Sequence, residues 1–169
     1  MGEFNSDIIK SEHGGGGEMM EAMIKSLYVN GFSLNKIIGG LGLSDMDDSG
    51  TIPFCNGHIV FTTDSHVVRP LFFPGGDIGR ISVCGTITDI TMMGGKPLAL
   101  SCGLIVEEGF DFEILGKIVE SMDHALCEEN VALVTGDTKV MERGALDQIA
   151  INTAGIGVAD TIIRDNGLK

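Results

Sequence analysis

Apolar residues along this chain follow two rhythms, one helical and one strand-like, and their alternation predicts the fold. Met19, Met20, Met23, Ile24 and Leu27 recur at helical spacing and predict a short amphipathic helix from near Glu18. A mobile glycine segment, His13-Gly14-Gly15-Gly16-Gly17, precedes it. From Phe32 to Cys55 the pattern is broken by Gly39, Gly40, Gly42, Asp45, Asp47, Asp48, Gly50 and Pro53, so this region is expected to be loop-rich, with acids and little core. His58 to Thr63 is a β-branched and aromatic run between Gly57 and Asp64, which predicts a buried strand with Asp64 at its carboxyl end.

Pro74-Gly75-Gly76-Asp77 is a helix-start signal with Asp77 as N-cap, and apolar residues then run at helical spacing from Ile78 to Met92, before Gly94-Gly95. Pro97 to Val106 predicts the next strand, Glu113 to Glu129 a second amphipathic helix, Val131 to Thr135 a third strand and Gln148 to Val158 a fourth. Strands alternating with helices argue for an α/β (α+β) class, a mixed sheet with helices on one face. With 169 residues the chain can bury one sizeable core. We expect residues 1–6 to be a cloning remnant, 7–57 a glycine-rich leader, short helix and acidic loop, 58–160 the α/β domain, and 161–169 the start of a linker.

Charge narrows the function. Twenty-four acids against eleven Lys and Arg give a formal net charge of −13, which repels nucleic acid and anionic lipid. No apolar run reaches the ~18 residues needed to span a bilayer, and the first residues lack the order of a signal peptide, so the expected location is the cytoplasm, away from the membrane. Cys55, Cys84, Cys102 and Cys127 are widely spaced without a CxxC pair, which points to reduced thiols, not a zinc knot or redox pair.

Acids standing beside glycines or at expected strand ends carry the chemical signal: Asp48 in Asp47-Asp48-Ser49-Gly50, Asp64 in Thr62-Thr63-Asp64-Ser65, Asp89 in Thr86-Ile87-Thr88-Asp89, and Asp137 in Gly136-Asp137-Thr138-Lys139. Carboxylates so placed suit Mg2+ bridged to phosphate oxygens, because hard cations take oxygen ligands and keep waters. Each has a plainer alternative. Asp48 could be a turn residue, Asp77 is better read as a cap, and Asp64 could begin a turn. Asp89 stands out because a carboxylate in an otherwise small and apolar helix needs a partner. Lys139 could face a bound phosphate or simply solvent. The leader His13 to Gly17 can bring backbone amides to phosphates, but it is not a Walker A sequence.

The order of the His-Gly-rich leader, Asp47-Asp48-Ser49-Gly50, Thr62-Thr63-Asp64-Ser65-His66-Val67-Val68, Phe72-Phe73-Pro74-Gly75-Gly76-Asp77-Ile78-Gly79, Glu107-Glu108-Gly109 and Thr135-Gly136-Asp137-Thr138-Lys139-Val140 resembles the HypE family of hydrogenase-maturation proteins, over nearly the whole chain after residue 7. The wider superfamily includes aminoimidazole ribonucleotide synthetase and thiamine-monophosphate kinase. The resemblance implies ATP-dependent dehydration of a carboxamide, carried on a carboxyl-terminal cysteine, to a thiocyanate destined for the cyanide ligands of [NiFe] hydrogenase. It further implies a Mg2+-ATP site using Asp48, Asp64, Asp89 and Asp137, with Lys139 and Asp89 near the reacting amide and His13, Gly14, Gly15, Gly16 and Gly17 folding over the phosphates. Implied partners are a second copy, whose sheet joins this one in a barrel, a HypF-type carbamoyltransferase and a HypC-HypD-type scaffold. Two readings compete with this one: an ATP-dependent kinase or synthetase of the superfamily, and a dimerisation and docking module without activity.

Overall fold

In the computed structural model, which describes residues 8–164, a short 3-10 turn over Ser11–His13 precedes helix α1 (Glu18–Ile24), which is continued by one wider turn over Lys25–Val29. The expected cloning remnant and residues 165–169 of the expected linker lie outside the described residues. The chain then forms β1 (Gly50–Phe54), β2 (Gly57–His66), a small hairpin of β3 (Phe72–Phe73) and β4 (Gly76–Asp77), and α2 (Ile78–Met92). β5 (Lys96–Glu107), α3 (Phe112–Glu129), β6 (Ala132–Met141) and β7 (Ile149–Ala159) complete it.

Both long helices start on aspartate. Asp77 Oδ1 accepts from the amides of Gly79 and Arg80, and Asp111 Oδ1 from those of Glu113 and Ile114, so each satisfies amides that the first helical turn would otherwise orphan. Asp77 also accepts from Ser121 Oγ at 2.5 Å, which fastens the start of α2 to the middle of α3. α2 ends at Met92 and the chain turns away at Gly94, whose φ of 75° costs glycine little.

The five long strands form one sheet in the order β1-β2-β7-β5-β6, antiparallel except for the β5-β6 pair. Period-two alternation gives β7 a buried face of Ile149, Ile151, Thr153, Gly155, Gly157 and Ala159. Against that face α2 and α3 build the core, which includes Ile78, Val83, Ile87, Leu100, Ile118, Met122 and Ile151. Close approach of α2 depends on Gly155, where a Cβ would lie 2.6 Å from Thr86 Cγ2 and 2.7 Å from Ile90 Cδ1. A buried hydroxyl chain then ties helix to sheet: Thr86 Oγ1 and Thr153 Oγ1 are 2.6 Å apart, and Thr153 Oγ1 donates to the Ser82 carbonyl at 2.8 Å.

Three local expectations differ from the structure. β1 occupies part of the expected loop: pairing along β2 supplies its backbone partners, and an edge position tolerates Pro53. β2 runs on to His66, so Asp64 lies inside the strand. β6 runs to Met141, so Asp137 and Lys139 are strand residues, held by parallel pairing with Gly103 and Ile105 despite weak local strand preference.

Candidate functional site

Strand alternation places Thr62, Asp64 and His66 on the inner face of β2, against α2. There Thr62 Oγ1 donates to Asp89 Oδ2 at 2.9 Å and lies 3.3 Å from the Asp48 carbonyl, while Ser49 Oγ donates to the Asp89 carbonyl at 3.0 Å. Thr62 and Ser49 thus join three of the four singled-out acidic segments. Burial pushes the Asp89 carboxyl above the usual carboxylate range; the Thr62 hydroxyl opposes this, and the charges of Asp64 and Asp48 add to it. A desolvated carboxyl within electrostatic reach of two further carboxylates forms a site that gains from a cation.

Asp64 reaches the helix through a gap in α2. A Cβ on Gly85 would lie 2.9 Å from Asp64 Oδ2 and 2.9 Å from His66 Cε1, so glycine leaves the slot that both side chains occupy. Asp64 Oδ1 accepts from the Ser65 amide at 2.8 Å. His66 Nε2 lies 3.1 Å from Asp64 Oδ2, in ion-pair range, yet it is out of line for a hydrogen bond and has no aligned partner among the described residues. The contact is thus one of proximity, since alignment decides hydrogen-bond strength.

A cavity of about 670 Å3 opens beside these groups, lined by Met20 and Ile24 from α1, Met46 to Gly50, and Phe61 to Thr63. A shallower groove, sharing Met20, Ile24 and Met46, extends to Gly17. Of the leader, Gly17 lines this neighbouring groove. His13 itself is buried, with Nδ1 accepting from the Lys10 amide at 2.9 Å. The acidic loop is clamped by Arg164, which reaches Asp47 at 3.0 Å and Asp45 at 3.1 Å. Asp45 is held below the ordinary carboxylate range by the Gly42 amide, with Lys36 and Arg164 adding to it.

Asp137 and Lys139 are not brought to this cluster within one chain. Asp137 is in register with Gly103, Asn152 and Ser65, on the face opposite α2, and three strand spacings, roughly 14 Å, separate β6 from β2. That face is open and carries exposed Ile52, Phe61, Ile156 and Val158. Among the described residues no three His, Cys, Asp or Glu groups converge as a ready-made metal cage. This donor set fits Mg2+ in its usual manner, held by one or two carboxylates and completed by phosphate oxygens and water, and not a dedicated protein cage.

Sequence reasoning missed Thr62, Ser49, His66, Gly85 and Arg164. Alternation around Asp64 contained the signal for Thr62 and His66, whereas the contacts of Ser49, Gly85 and Arg164 cross between distant segments and left no local trace.

Residues 46–159 match the family described as AIR synthase related protein, N-terminal domain. The chain is 51% identical over 148 residues to an archaeal protein of Methanocaldococcus jannaschii assigned by name to hydrogenase expression/formation, covering 88% of this chain and 44% of that one. It is 41% identical over 154 residues to carbamoyl dehydratase HypE of Escherichia coli, again covering 88% and 44%. Among solved structures, a HypE-HypF complex matches with a TM-score of 0.70 at 45% identity, over 85% of this chain and 43% of that one. A HypE structure in complex with ATP matches with a TM-score of 0.61 at 44% identity, over 88% and 42%. The chain thus spans a little under half the length of the relatives it matches.

Proposed function

This chain belongs to the AIR synthase related family, through its N-terminal domain, and from that premise we propose that it is the ATP-binding and dimerising half of a HypE-type carbamoyl dehydratase. The carrying observation is the gathering of Asp48, Asp64 and Asp89 about Thr62 and α2, with Asp48 and Thr62 lining a cavity beside α1. A homologue with 44% identity has been solved with ATP, which supports a nucleotide as the ligand.

The reaction consumes ATP and a cysteine-borne thiocarboxamide. The γ-phosphoryl group passes to the amide oxygen, and loss of phosphate with the amide protons leaves a thiocyanate, with ADP and phosphate as the other products. Mg2+ would neutralise phosphate charge; Asp64 and Asp89 would hold it, with Asp48 contributing from the acidic loop, and the leader His13 to Gly17 would offer backbone amides to the phosphates.

The open sheet face carries exposed apolar residues, and pairing it with its equivalent in a second copy would bury them, with Asp137 and Lys139, which share that face, at the interface. From that interface Lys139 is assigned to the reacting amide. A HypF-type carbamoyltransferase supplies the carboxamide, in keeping with the solved HypE-HypF complex, and a HypC-HypD-type scaffold receives the product. No described helix is long and apolar enough to cross a membrane, in keeping with a cytoplasmic place of work.

Calorimetric titration of ATP in Mg2+, repeated with excess EDTA, tests the reading. Metal-dependent binding is expected, lost in Asp64→Ala. Absence of binding in both buffers would refute the assignment of the site to this half.

A further inference from the structure

His66 is a buried and chemically versatile group that the carboxylate assignments leave unused. Its side chain keeps 10% exposure, and Nε2 is buried 3.1 Å from Asp64 Oδ2 without an aligned partner among the described residues. Such orphaned nitrogens are rare in folded proteins and call for a reason. The ring also lies close against α2 at Gly85, where an added Cβ would come within 2.9 Å of Cε1 and 3.1 Å of Nε2.

Asp64 is freer. Its side chain is 40% exposed, and only Oδ1 is tied, by the Ser65 amide. A carboxylate in that state can swing between sites on the cation and in solvent. A donor on Oδ2 would end the swing while leaving lone pairs on both oxygens for a cation or water. The carboxylate in turn favours the imidazole tautomer with its proton on Nε2.

We propose that His66 is a positioning residue for Asp64: when Mg-nucleotide binds, a small rotation of the carboxylate aligns Oδ2 with the buried Nε2–H, and this contact fixes Asp64 toward the cation. The inference rests on the nucleotide reading above. Direct ligation by His66 is a poorer fit, because no third group converges with the pair as a cage would require.

Titration of ATP into the full chain in Mg2+ and in EDTA, using wild type, Asp64→Ala, His66→Ala, His66→Phe and His66→Gln, tests it. Loss of the donor in His66→Ala should weaken Mg-dependent binding about fivefold, and His66→Phe, which refills the slot with a ring lacking a donor, should behave alike. His66→Gln places an amide N–H near the Nε2 position and should recover binding to within about twofold. Unchanged melting curves would separate positioning from packing. Wild-type affinity in both His66→Ala and His66→Phe, with binding lost in Asp64→Ala, overturns the role of His66 and leaves the nucleotide site standing. A glutamine variant as weak as alanine also overturns it, in favour of ligation or shape. Wild type without Mg-dependent binding refutes the nucleotide reading itself, and the inference falls with it.

Discussion

Replacing Gly85 with alanine sets two effects against each other inside α2. Alanine in a helix interior is favoured over glycine by about 1 kcal/mol. Its methyl would, however, meet Asp64 Oδ2 and His66 Cε1, each at 2.9 Å. Both obstructing atoms belong to side-chain ends, and turning them off their preferred rotamers costs about 0.5–1.5 kcal/mol. The two effects cancel to within about 1 kcal/mol, so Tm should move by no more than ~4 °C for a chain of this size. Binding has no such compensation. A displaced Asp64 that misses its charged contact loses about 1.5 kcal/mol, or roughly tenfold in Mg-dependent ATP affinity. Gly155→Ala is the contrasting case. There the methyl meets Thr86 Cγ2 at 2.6 Å and Ile90 Cδ1 at 2.7 Å, and both residues are fully buried. Overpacking of about 1–3 kcal/mol should lower Tm by roughly 3–10 °C. Circular-dichroism melts paired with calorimetric titration read both quantities. Wild-type affinity in Gly85→Ala would remove the Gly85 slot from the nucleotide site, and a melt as low as that of Gly155→Ala would show that Asp64 and His66 cannot yield as argued.

Asp89→Asn should raise Tm at neutral pH. Because burial raises the folded-state pKa of Asp89, the folded chain holds the proton more tightly than the unfolded one, so stability falls as pH rises through that interval; the gain from asparagine should fade as pH drops toward the ordinary aspartate value of 3.8. The same variant should lose Mg-dependent binding, and a Tm below wild type at neutral pH would contradict the desolvation argument. Asp77→Ala removes acceptors for two helix-start amides and for Ser121, and should cost about 2 kcal/mol, read as a fall in the denaturation midpoint with the slope unchanged. Phe61→Glu puts a charge on the open apolar sheet face and should leave a monomer in light scattering at micromolar concentration; a persistent dimer would place the interface elsewhere.

The order of the long helices and of the strands around them, and the start of α2, were legible because they are written in short-range stereochemistry. Asp77 caps its helix through amides two and three residues away, as Asp111, not singled out in the sequence, does for α3, and alternation alone places Thr62, Asp64 and His66 on one face of β2. The tertiary structure decided what these residues meet. β7, last of the described strands, lies between β2 and β5, and α2 crosses behind them, so Asp89 reaches Thr62 across 27 positions of sequence and Gly85 receives Asp64 and His66. The face of Asp137 and Lys139 was likewise set by pairing of β6 with β5 after a register shift, not by the local run of residues. Caps and alternation are local because the backbone's own geometry enforces them. Strand order and the meeting of distant side chains depend on which faces can be buried together, a property of the packed whole.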